Sequence, residues 1–106
     1  MSPRYDVSPV ALDDIDAAAA FISEKSIQAA EHFVDEIYDA FEMLARNSHL
    51  GHRRSDLTSL PVFFWTAFKE YAVIYRKSDP LQIVRVLAWK RDVPTLLSDE
   101  SGFAHP

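Results

Sequence analysis

The sequence contains no cysteine, so disulfides, thiolate metal sites and thiol nucleophiles are excluded. A reduced compartment agrees with this, and a cytoplasmic location is the expectation. Glycine is nearly absent as well. Gly51 and Gly102 are the only two, too few for a phosphate-cradling loop of the P-loop or dinucleotide kind. No long apolar run is present: the longest, Ala17 to Ile22 and Leu60 to Phe68, fall far short of the ~20 residues that cross a bilayer. Arg4 and Asp6 are followed by no apolar h-region, so no secretory leader is expected and no membrane partner either. What remains is 106 residues, 48% hydrophobic and 25% charged, the composition of one soluble globular domain. Residues 1–98 are the expected domain, with 99–106 as a flexible C-terminal tail.

The net charge of −5 is unevenly spread. Residues 1–48 carry ten acidic side chains against three basic ones, Arg4, Lys25 and Arg46. Residues 49–92 reverse this, with eight basic side chains against four acidic ones. Two readings stay open: two faces with different partners, or acidic helices and a basic sheet that neutralise each other.

The spacing of apolar residues orders the chain. Arg4 to Val7 reads as a short strand. Ser8-Pro9 then opens a helix, serine as N-cap and proline at the first helical position. Leu12, Ile15, Ala19 and Ile22 recur at helical spacing, so this helix is expected from about Pro9 to Glu24. Ser26 looks like the cap of a second helix running to about Asn47. Its stripe is Ala30, Phe33, Val34, Ile37, Tyr38, Phe41, Leu44 and Ala45, with Glu31, Asp35, Asp39 and Glu42 opposite. The two helices, joined by so few residues, should form an antiparallel hairpin. After Pro61 the pattern becomes strand-like. Val62 to Phe68, Tyr71 to Arg76 and Gln82 to Trp89 read as an antiparallel meander, with turns at Lys69-Glu70 and Ser78-Asp79-Pro80. The last strand is apolar on nearly both faces and belongs in the middle of the sheet. Alternation puts Ile83, Arg85, Leu87 and Trp89 on one face and Val84, Val86 and Ala88 on the other. Val93 to Leu97 reads as a short turn. The expected fold is α+β in the order β-α-α-β-β-β, a helical hairpin packed on one face of an antiparallel sheet.

Chemistry is sparse. His49 and His52 lie in an expected loop with no third ligand nearby, and His32 with Glu36 is more simply a solvated helix pair. No metal and no cofactor are expected, and no spacing suggests a nucleophile elbow. The basic residues are more informative. Arg85 sits inside the most apolar strand, where an unpaired cation would be costly. It should pair with Asp92 or a helix carboxylate, or face a groove that a partner fills. Trp65 and Trp89 fit the core of a sheet or a stacking surface.

The order and spacing of several short segments resemble the RelE/ParE superfamily of toxins from bacterial toxin–antitoxin pairs, over residues 4–97. They are Tyr5-Asp6-Val7-Ser8-Pro9, Phe41 to Ala45, the loop Gly51 to Leu57, Tyr71 to Tyr75, and Ile83 to Leu87 leading into Lys90-Arg91-Asp92. RelE-like members resemble ribosome-dependent mRNA endoribonucleases. The resemblance would place that branch's lysines near Phe63 and Trp65, an arginine at Ala72 and a tyrosine near Leu97; only Arg91 falls on a basic position. The loop and the Arg85-Val86-Leu87 ending look more like ParE, whose members resemble DNA gyrase poisons. One departure is Ala88-Trp89, where many ParE-like chains carry a histidine.

The resemblance implies a non-catalytic type II toxin with two protein partners, a cognate antitoxin and DNA gyrase. The alternative is a RelE-like ribonuclease. No catalytic residue and no direct nucleic-acid binding are expected. Candidate contacts with antitoxin or target are Arg53, Arg54, Lys69, Arg76, Arg85, Trp89, Lys90 and Arg91. An apolar groove between helices and sheet, rimmed by Arg53, Arg54, Arg76 and Arg85, would suit an acidic amphipathic segment.

Overall fold

The computed structural model describes residues 4–98; the expected tail, 99–106, lies outside the described residues. Strand β1 (Tyr5–Val7) leads into helix α1 (Pro9–Ser23) and helix α2 (Ile27–Arg46). Strands β2 (Phe63–Ala67), β3 (Tyr71–Arg76) and β4 (Leu81–Ala88) follow, then a short helix α3 (Val93–Ser98). The sheet order is β1-β4-β3-β2. β1 runs parallel to β4, and the other neighbours are antiparallel. The expected α+β order and the central place of the last strand both hold.

Both helix starts form as their sequences dictate. The Ser8 hydroxyl accepts from the Ala11 N–H with Pro9 in the first turn, and the Ser26 hydroxyl accepts from the Ala29 N–H. On α2, Phe33, Ile37, Phe41 and Leu44 are fully buried. They face Val73, Tyr75, Ile83 and Val86 of the sheet. The α1 stripe departs from expectation at its first position only: Ile15, Ala19 and Ile22 pack on the core, but Ala11 is buried and Leu12 is exposed. One residue turns a helix by about 100°, and Ala11 continues the Ile15, Ala18, Ile22 row that points at the sheet. A methyl group there lets the helix start lie close against β4.

The strict alternation expected along β4 fails. Ile74 pairs with Arg85 but Tyr75 pairs with Ile83, which leaves Val84 as an extra residue in a β-bulge. The bulge shifts the phase of the strand. Ile83 and Val86 therefore join the helix side, while Val84 and Leu87 join the opposite side. Arg85, Leu87 and Ile83 do not share a face. The bulge is completed from α1, because β1 is too short to cover that stretch of β4. The Ser8 hydroxyl donates to the Val84 carbonyl, and the Asp14 carboxylate accepts from the Val86 N–H.

The second sheet face is not open to water. Ala72, Ile74, Val84 and Leu87 pack there under Val62, Val93 and Leu97. The expected turn at Val93 to Leu97 is helix α3, which together with the segment leading to β2 acts as a lid on this face. Asp92 caps α3 by accepting from the Thr95 hydroxyl at 2.8 Å. The β2 strand stops one residue early. Phe68 and Lys69 take positive φ angles of 50 and 61, a conformation that ends strand pairing. Phe68 donates its N–H to the Glu36 carboxylate of α2.

Tyr75 ties the loop after α2 to the sheet. Its hydroxyl donates to the Ser48 carbonyl at 2.7 Å and accepts from the Gly51 N–H at 2.8 Å. Burial pushes this hydroxyl above its ordinary pKa. Glycine is required at position 51, since a Cβ there would lie 2.4 Å from the Tyr75 oxygen and 2.9 Å from the Phe64 carbonyl. Tyr75→Phe strands one buried donor and one half-buried acceptor. It is expected to lower stability by about 1–3 kcal/mol, read from urea unfolding. An unchanged midpoint would show that water replaces the phenol.

Candidate interaction surface

The basic residues singled out in the sequence do not converge on one groove. The structure distributes them over separate places. Arg85 is the clearest departure from the expected rim. Its side chain is 10% exposed and that of its partner Asp14 is 9% exposed. The guanidinium meets the carboxylate through two bonds, Nε to Oδ2 at 2.8 Å and Nη2 to Oδ1 at 2.9 Å. Nη1 donates to the Leu96 carbonyl of α3. Arg85 is therefore a structural clamp joining β4, α1 and α3, and does not rim a groove. The carboxylate expected for it is on α1, and Asp92 serves α3 instead.

Arg53 and Lys77 stand over the Phe63 ring, at 5.9 Å and 4.2 Å from its centroid, geometry that holds a cation against an aromatic face. Arg76 is half-buried at the end of β3, and Lys69 is exposed in the β2–β3 turn. Arg54 lies over Trp89 at 5.3 Å and makes a paired contact with Asp56 at 2.8 and 2.9 Å. The bond from Arg54 holds the Asp56 carboxyl below its usual range. Trp89 stacks on Phe64 and donates its indole N–H to the Thr66 hydroxyl at 3.0 Å. These residues line a hollow of ≈ 280 Å³ at the β2 edge, with His52 and Trp65. His52 pairs with Phe64 as an isolated bridge, so β2 is covered there by its own loop. Among the described residues no group of His, Asp and Glu could hold a metal ion. No described helix is long and apolar enough to cross a membrane.

Lys90 and Arg91 lie elsewhere, at the mouth of a cleft between α1 and the C-terminal end of β4. Its volume is ≈ 270 Å³. Ala17, Ala18, Val86 and Ala88 line it, with Phe21 and Tyr71 as aromatic walls. Phe21 is 58% exposed, and the Lys90 ammonium is 5.8 Å from its ring centroid. Burial, reinforced by the Glu70 charge, holds the Tyr71 hydroxyl above its ordinary pKa. Phe21, Tyr71 and Asp14 were not marked by the sequence as site residues. Phe21 falls off the buried stripe of α1, and an exposed aromatic beside four alanines was the available signal.

A bulged mixed sheet with a helical hairpin on one face and a C-terminal cap on the other defines the fold class. Its surface offers clefts with cationic and aromatic rims. The family profile described as "ParE toxin of type II toxin-antitoxin system, parDE" matches residues 5–93. The chain belongs to the ParE toxin family. Among solved structures it resembles a chain of the "Chromosomal ParDE TA system from P. aeruginosa". That match has a TM-score of 0.64 at 20% identity and covers 80% of this chain and 94% of the other. Comparison with curated protein sequences gives no match.

Proposed function

We propose that this ParE-family protein is a cytoplasmic toxin that acts by binding, with DNA gyrase as its target and a cognate antitoxin as its inhibitor. The observation that carries the reading is the fate of the positions where the RelE branch would keep its nuclease residues. Ala72 is 0% exposed and Leu97 is 1% exposed. Both are part of the apolar cluster between α3 and the sheet. Phe63 and Trp65 are half-buried aromatics packed toward the helix-side core. Cleaving RNA takes cations on the phosphate and a positioned proton-transfer group at the 2′-hydroxyl. Of the positions considered, Arg91 alone supplies such a group. An acidic chain is also poorly suited to settling against ribosomal RNA.

Contact roles for Arg53, Arg54, Lys69, Arg76, Trp89, Lys90 and Arg91 are part of this proposal. Arg53 and Arg54 are the residues that would steer an acidic antitoxin segment, since rim charges act chiefly on encounter. The test is induction in cells beside a gyrase supercoiling assay on the purified protein. The expected result is filamentation, a DNA-damage response, loss of supercoiling activity, and relief on co-expression of the antitoxin. Immediate arrest of translation, with mRNA cuts at the ribosomal A site that vanish in Arg91→Ala, would move the protein to the ribonuclease branch.

A further inference from the structure

We infer that the groove along the α1–α2 hairpin seats a basic amphipathic helix of a protein partner, its apolar side chains in the groove and its cations over Glu31 and Asp35. The inference goes beyond the toxin reading and does not depend on which enzyme is the target. The hollow measures ≈ 450 Å³, more than the α1–β4 cleft or the β2 edge. Its floor is Ala19 and Ala20 of α1 and Ala30 of α2. All three end at Cβ, so the two helices leave a furrow that takes side chains from a third. Ile27 and Val34 stand along it. Ile27 is 71% exposed and takes no part in either core cluster. The Ser26 cap starts α2, and the helix start does not need an isoleucine after it.

Charge decides the occupant. Glu31 and Asp35 rim the groove, and Asp39 continues their row at the same four-residue spacing. Like charges so placed on a helix repel one another. Among the described residues, none of the three carboxylates has a cation within ion-pair distance. Asp14 and Glu36 differ, since Arg85 and the Phe68 N–H already engage them. Little on the hairpin itself offsets the row: residues 9–46 carry nine acidic side chains against two basic ones, Lys25 and Arg46. A second copy of this chain would set one such row against another, and an acidic segment or a nucleic-acid backbone would be repelled in the same way. A cationic helix is attracted along the whole row. Lysines one turn apart on its flank keep step with Glu31, Asp35 and Asp39, because both rows advance about 6 Å per four residues. Its apolar anchors would supply most of the affinity, with the charges steering encounter.

The test is a backbone-amide NMR titration of the full chain with a helical peptide that carries leucines at i, i+3, i+4 and i+7 and lysines on the flanks of that stripe. Saturable shifts are expected at Ala20, Ser23, Ile27, Glu31 and Asp35, weakening as salt is added. Glu31→Lys combined with Asp35→Lys should weaken binding by about tenfold or more, and Ile27→Ser should weaken it while leaving its salt dependence. All three positions are exposed, so thermal midpoints should stay near that of the parent. Glu31→Gln with Asp35→Asn provides the same reading should the charge reversals perturb folding. No saturable shift would overturn the inference, as would shifts centred on the α1–β4 cleft or the β2 edge. Equal binding of a peptide with glutamates in place of the lysines would overturn it too. Equal binding of one with serines in place of the leucines would show charge attraction without a seat, which also overturns it. Shifts at the same amides on raising the concentration of the chain alone, with a dimer in sedimentation, would assign the groove to a second copy instead.

Discussion

Replacing Asp14 by alanine is expected to lower folding stability by about 3–5 kcal/mol, the cost of removing one partner from a buried ion pair. The Arg85 guanidinium would keep its bond to the Leu96 carbonyl but lose both carboxylate bonds, in a site where its side chain is 10% exposed. The Val86 N–H would lose its acceptor as well. A domain of this size holds roughly 5–15 kcal/mol in all, so the variant should sit near its unfolding threshold. The thermal midpoint should fall by roughly 4–8 °C for each kcal/mol. Asp14→Leu combined with Arg85→Met removes both charges and should recover part of the loss. It should not recover all of it, because the Val86 N–H stays unpaired. A midpoint unchanged in Asp14→Ala would mean that Arg85 reaches water, and the clamp would have to be abandoned.

Ile37→Ala and Phe41→Ala are each expected to cost about 2–5 kcal/mol, as large-to-small changes in a packed core do. Both side chains are 0% exposed. Phe41 also holds Tyr5 and Tyr38 in ring contacts at 5.4 and 5.2 Å, so its loss loosens the seat of β1 on α2. Ile37 has no such ring partners and should fall lower in the range. Equilibrium denaturation of the two variants would measure this. If both leave the midpoint where it was, α2 does not pack on the sheet by this stripe.

The helices were legible because their signals are local. A serine cap, a proline at the first turn and a period of 3.6 fall within a few residues of one another, and α2 carries four fully buried side chains on one row. The antiparallel meander was legible for the same reason. Positions where two segments decide together were not. Leu12 and Ala11 are adjacent, and only the direction of the sheet tells which is buried. At the Val84 bulge, Ser8 and Asp14 complete the β4 backbone from another element. No alternation rule applied to β4 alone can see that.

The sequence by itself determined the element order, the absence of thiol and phosphate-loop chemistry, and the resemblance that the family match bears out over residues 5–93. The burial of Arg85 needed a partner, and its sequence context already demanded one. Tertiary structure alone chose Asp14, which lies 71 residues away. It also decided where the cations sit. Arg53, Arg54 and Lys77 are held over aromatic rings by loops that fold back on the sheet. Lys90 and Arg91 flank a cleft whose walls come from α1, β3 and β4. The physical reason is distance: caps and periodicity are set by neighbours along the chain. Ion-pair choice, strand phase and clefts are set by groups that meet only after the chain has folded.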